Sequence, residues 1–179
     1  MIKKIYIFGA NGTGTSTLGR VLSRETGYVF FDAHSYFRDA FKKHGNSLVV
    51  NSIFTNDLLA AHSWILAGWL FDKADHYAHF FDLVIFLWVP QDIRMARLQQ
   101  REVKTWGRKI LDPENPRHAI YKKFLAWSAQ YDTAGLDQMS KALHEQWMEN
   151  LNCPVLRISG NFKLEDNLAS VLNFIKKCS

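Results

Sequence analysis

The 179-residue sequence has only two cysteines, Cys153 and Cys178, and neither belongs to a CxxC pair or lies at ligand spacing from a histidine. That argues against a disulfide-stapled scaffold or a thiolate metal knuckle, and both thiols are expected to be reduced and structural. Proline is scarce, at four residues, and no Ser-, Pro- or Gly-rich run or internal repeat marks a linker. A single domain, 1–179, is expected. Long hydrophobic runs are also missing, so no membrane-spanning segment is expected. The first apolar stretch is about five residues long and enters a glycine-rich turn, which is not the pattern of a signal peptide. A cytoplasmic protein that binds no membrane follows as the expectation.

What is present begins at Ile2–Gly19. A β-branched and aromatic strand runs into Gly9-Ala-Asn-Gly-Thr-Gly-Thr-Ser16, and Leu18, Val21 and Leu22 then recur at helical spacing. The pattern G-x-x-x-x-G-K-[ST] describes a phosphate-binding loop, in which glycines let backbone amides approach an anion at a helix N-terminus. Gly9, Gly14 and Ser16 fit it, but Thr15 stands where the lysine belongs. Gly9, Asn11, Gly12, Thr13, Gly14, Thr15, Ser16 and Thr17 are the expected nucleotide-binding residues, and Ser16 the hydroxyl for Mg²⁺.

Four further apolar runs follow: Tyr28–Phe31, Ser63–Ala67, Leu83–Val89 and Val155–Ile158, separated by helical patterns. Such alternation predicts a parallel sheet covered on both faces. Asp32 closes the second run. At the carboxyl end of a strand it is placed to orient Mg²⁺ or to take a proton from a substrate hydroxyl, or else simply to cap the next helix. No acid closes the third run; Asp72 or Asp75 just beyond it is the substitute weighed for that role, against the preferred reading of a solvated turn acid. Tyr36–Lys43 is read as a helix, His44–Asn51 as a loop, and Thr55 as the cap of a third helix. Asp82, at the entry of the fourth strand, is expected to be structural.

The net charge of +5 is not spread evenly. Residues 94–123 hold nine basic and three acidic side chains, a net +6, which leaves −1 for everything else. Arg94, Lys122 and Lys123 read as a solvated helix face. Thr105–Arg117, with one glycine, two prolines and three basic residues, is the candidate lid, since closing over polyphosphate needs a cationic segment on flexible hinges.

On these stretches the chain resembles the P-loop kinases of small molecules and nucleoside monophosphates, the adenylate kinase and shikimate kinase group. The resemblance rests on IFGANGTGTSTLGRVLSRETGYVFFDAH, on DLVIFLWVPQDIRMARLQQRE with the basic loop after it, and on CPVLRISGNFKLEDNLASVL. It implies a three-layer α/β P-loop NTPase fold with a five-stranded parallel sheet in the order 2-3-1-4-5 and a small lid. It also implies ATP with Mg²⁺, Asp32 serving substrate or metal, Arg101 and Arg108 clamping phosphates, and Gly160 and Asn161 near the adenine.

Thr15 departs from that group by removing a cation that follows charge during phosphoryl transfer. Two readings therefore stand. One is an ATP-dependent kinase of an unidentified small-molecule acceptor, with Arg20, Arg101, Arg108 or Lys109 replacing the lysine in space. The other is a nucleotide-binding protein with little or no transfer, acting through partners or conformational change. The basic segment carries no motif for reading nucleic acid, so no nucleic-acid partner is expected.

Overall fold

Two strands with nearly unbroken burial take the middle of the sheet: β1 (Lys4–Gly9) and β4 (Leu83–Trp88). In this computed structural model, which describes residues 1–70 and 73–178, they pair in parallel. The remaining strands are β2 (Val29–Asp32), β3 (Trp64–Ala67) and β5 (Val155–Ser159), all parallel, and the order is 2-3-1-4-5. Each strand follows the one before it by way of at least one helix, as parallel pairing requires. The chain has the P-loop kinase fold implied by the resemblance.

Alternation along the strands sorts side chains by kind. Ile5, Ile7, Ile65, Leu83, Ile85 and Leu87 face one way and meet Leu18 and Leu22 of α1 (Thr15–Thr26) and Val171 of α8 (Leu164–Lys177). Tyr6, Phe8, Trp64, Leu66, Val84 and Phe86 face the other. They pack on Phe54 and Leu58 of α3 (Ser47–Ala60), Tyr77 of α4 (Ala74–Tyr77), and Trp147 of α7 (Lys141–Glu149). A third, smaller core gathers Leu98 of α5 (Gln91–Trp106), Ile110, and Tyr121 and Leu125 of α6 (His118–Ala129).

Several local expectations are corrected. The third helix starts at Ser47, inside the expected loop, because the Asn46 side chain accepts the amides of Leu48 and Val49; Thr55 lies mid-helix and donates to the Asn51 carbonyl. Arg94 is fully buried instead of solvated. Its guanidinium donates to the carbonyls of Val89 and Ser128 and to Asp132, so each buried donor group has a partner and the charge is matched. Asp75 accepts the indole N–H of Trp147 at 2.8 Å and is an anchor for α7 instead of a metal-supporting acid. Asp72 lies outside the described residues. Asp82 accepts the amides of Lys3 and Lys4 and fixes the start of β1, as expected of a structural acid. Both cysteines are free.

Candidate functional site

The register of the sheet assembles the site. Gly9 pairs with Leu87, Ile7 with Ala67, and Ala67 with Asp32, so the glycine loop and the β2 acid lie along one carboxyl edge. That edge is where open α/β sheets bind ligands.

The loop's three glycines do different things. A Cβ on Gly9 would lie 2.2 Å from the Leu87 carbonyl oxygen, and one on Gly12 would lie 2.8 Å from the Arg94 carbonyl oxygen. Those two are small so that the loop can press against β4 and α5. Gly14, at φ +97°, is different: among the described residues its Cβ would meet nothing within 4 Å. It opens the N-terminus of α1, whose first amides, those of Thr15, Ser16 and Thr17, lack intrahelical acceptors and have no side-chain cap. Thr13 is buried and ties its hydroxyl to the Ala10 carbonyl at 2.8 Å, which closes the loop's turn. Asn11 reaches Ser128 of α6 at 3.4 Å.

Asp32 combines both of its expected roles. One carboxylate oxygen accepts the Ser35 amide at 3.0 Å and caps α2 (Ala33–His44); the other accepts the Ser16 hydroxyl at 2.5 Å. The Arg20 guanidinium stands 3.9 Å away. Burial pushes the Asp32 pKa up, but the hydrogen bonds from Ser16 and Ser35, with the Arg20 charge, outweigh it and hold the group below its ordinary value. The carboxylate is therefore ionised at neutral pH.

Of the cations named from sequence, Arg101 is engaged with its neighbour Glu102 at 3.3 Å, and Arg108 is exposed at the start of a short 3-10 turn, Arg108–Leu111. Arg97, which sequence reasoning passed over, reaches the loop: it donates to the Gly12 carbonyl at 3.3 Å and to the Asn161 side chain at 2.9 Å. Its position four residues before Arg101, on the same face of α5, was the available signal. Asn161 and Gly160, φ +136°, follow β5 as expected, and Arg97 connects that turn to the loop.

Beyond Asp32 the first turn of α2 runs along a cavity of about 460 Å³, walled by Ala33, Phe37, Val50, Trp69 and Leu70. Tyr6 accepts the Leu70 amide at 3.3 Å and so fixes the chain that carries Trp69. Behind Trp69, ring centroids 4.4 Å apart, lies His144, fully buried and hydrogen-bonded to the Tyr131 hydroxyl at 2.7 Å. Burial pushes its pKa down to about 3.

The sequence is 39% identical over 176 residues to the uncharacterized protein YqaC of Bacillus subtilis, covering 98% of each chain. The chain belongs to the YqaC family. No protein-family model matches it. A more distant relative of this YqaC-family chain is a cytidylate kinase of Saccharolobus islandicus, 26% identical over 142 residues that cover 67% of this chain and 70% of the kinase. Among solved structures, the shikimate kinase of Acinetobacter baumannii in complex with shikimate superposes with a TM-score of 0.59 at 19% identity, covering 100% of this chain and 96% of that one. The YqaC-family chain is thus P-loop kinase-like in sequence and fold. No described helix is long and apolar enough to cross a membrane.

Proposed function

We propose that the protein is an ATP-dependent phosphotransferase that moves the terminal phosphoryl group of ATP to a small molecule held beside α2. The observation that carries this is the Ser16–Asp32 contact at 2.5 Å, which sets a hydroxyl and an ionised carboxylate beside the open N-terminus of α1. In this reading the amides of residues 13–17 hold the phosphates, and Gly160, Asn161 and Arg97 hold the nucleoside end. Ser16 and Asp32 form a hard oxygen pair of the kind that would hold Mg²⁺. Bound there, Mg²⁺ supplies neutralisation of charge on the phosphate oxygens. Asp32 suits that task better than general base catalysis, because a lowered pKa makes a carboxylate a poor proton acceptor near neutrality.

Residues 105–117 act as the lid in this account, with Ile110 as the buried foot and Arg117 stacked 3.8 Å over Trp106 at the hinge. Arg101 and Arg108 lie on or beside it and approach the phosphates on closure, while Arg97 supplies a positive charge hydrogen-bonded to the loop itself. The test is acceptor-dependent formation of ADP from ATP and Mg²⁺ across nucleosides, nucleotides and small hydroxy acids. Asp32→Asn is expected to lower the rate by about 10² or more, as loss of a well-placed charged group does. An Asp32→Asn protein as fast as wild type overturns the assignment of that carboxylate.

A further inference from the structure

The cavity beside α2 has a composition that speaks to what it accepts. Three of its lining residues are formally cationic, Arg38 and Lys42 on α2 and Lys73 at the start of α4, and its described lining has no Asp, Glu, Asn or Gln. Arg38 is already paired with Asp39 at 2.9 Å, which leaves Lys42 and Lys73 as the cations with no carboxylate ion pair among the described residues. Three others are aromatic: Phe37, Phe41 and Trp69. A ligand rich in hydroxyls would find few side-chain acceptors here, whereas a planar ring finds faces, and an anion finds charges. The two features are already coupled, since the Lys73 ammonium sits over the Phe37 ring at 4.2 Å. A cation held by an aromatic face, with no carboxylate partner among the described residues, is available to an incoming anion. Phe41 is half exposed, so the aromatic wall continues to the mouth. The neighbouring groove of about 570 Å³ makes the contrast: there Asp32 lies 3.9 Å from Arg20 and Asp39 is held by Arg38, so acids share the lining with the cations.

We propose that this pocket selects a planar aromatic molecule carrying its own anionic group, phosphate or carboxylate, with Lys42 and Lys73 as the specificity-determining cations. Calling that molecule the phosphoryl acceptor rests on the phosphotransferase reading; its binding does not. A neutral nucleoside would satisfy the rings and waste the cations. A non-aromatic acid would do the reverse.

Isothermal titration of the full chain without ATP tests this, using CMP, cytidine, orotate and shikimate. CMP or orotate is expected to bind at least tenfold tighter than cytidine and than shikimate; which of the two is tighter distinguishes phosphate from carboxylate as the anion. A Lys42→Gln/Lys73→Gln double variant should lose at least tenfold toward the preferred anion and leave cytidine unchanged, since the lost cations serve only the charge. Trp69→Leu should weaken CMP and cytidine alike. Gly14→Val, which alters only the phosphate loop, should leave CMP affinity unchanged. Circular dichroism confirms that each variant is folded. Equal affinities for CMP and cytidine, a double variant that keeps its preference, or loss of CMP binding in Gly14→Val overturns the proposal. If no acceptor ever yields ADP but these binding differences hold, the phosphotransferase reading fails and the assignment of the pocket stands.

Discussion

The loop of residues 9–16 offers mainly backbone amides, with the Ser16 hydroxyl beside them, whereas the pocket between α2 and α3 presents almost nothing but side chains. Gly9 and Gly12 are spent on packing against β4 and α5, and only Gly14 leaves open space. In the pocket, Phe37, Trp69 and Lys73 arrive from two separate stretches and meet only after folding. A backbone site tolerates substitution at Thr15 without losing its shape, because the amides stay where the turn puts them. A side-chain site changes its ligand with each residue. The two regions are joined at Asp32, which caps the helix of one and holds the serine of the other.

The sharpest way to break this contrast is Gly14→Val. Its side chain would enter the only open glycine position of the loop, and φ +97° adds strain of about 1–3 kcal/mol. Loss of two charge-assisted hydrogen bonds at about 1.5 kcal/mol each corresponds to roughly 10² in ATP affinity. Titration with ATP and Mg²⁺ should show that loss while the protein still melts cooperatively; a folded variant with unchanged affinity would place the ligand elsewhere.

A smaller effect is expected at Arg97, which joins the loop to the turn after β5 through two hydrogen bonds. Arg97→Ala should raise the KM for ATP by about fivefold, the equivalent of about 1 kcal/mol. Asn161→Ala should do the same, and the double variant little more, because the two residues act through one contact. Additive losses would show that they work independently.

The smallest effect bears on the wall of the pocket. Burial holds His144 at a pKa of about 3, below its unfolded value of about 6.5. Its contribution to stability is therefore complete above pH 6.5 and is lost progressively as the pH falls toward 3. A Tyr131→Phe/His144→Phe double variant removes the titrating ring and its hydroxyl partner together, so urea melts should show a flatter stability between pH 6.5 and 5 than wild type. Asp32, whose folded pKa lies below the ordinary carboxylate value, loses its contribution only at more acid pH. Identical slopes in the two proteins would mean that His144 is not held neutral.

What was legible in the sequence follows the same division. The sheet, its order through the resemblance, and the loop with Asp32 were readable because glycine spacing, apolar runs and strand-end position are local signals. Arg94 was misread because a helix-face pattern does not show which turn lies beneath Asp132 and Ser128. The start of α3 was hidden because Val49, Val50 and Ile53 weaken a helical reading, and the pull of Phe54 and Leu58 toward the sheet is tertiary. The pocket was invisible because its two stretches, 37–42 and 69–73, are distant in sequence. Its one local cue was the spacing of Phe37, Arg38, Phe41 and Lys42, which puts the rings and the cations each at i, i+4 on α2.

The central claim is phosphoryl transfer by a loop without its lysine, and the rate of ADP formation in wild type and Thr15→Lys tests it most directly. If Arg97 and the cations of α5 and the lid already supply the charge, wild type turns over with an acceptor, and Thr15→Lys changes the rate by less than about tenfold or slows it by crowding. If the site only binds nucleotide, wild type is inert with every acceptor. Restoring one donor worth about 3 to 4 kcal/mol then raises ATP hydrolysis by roughly 10² to 10³. The account predicts the first result, and the second contradicts it.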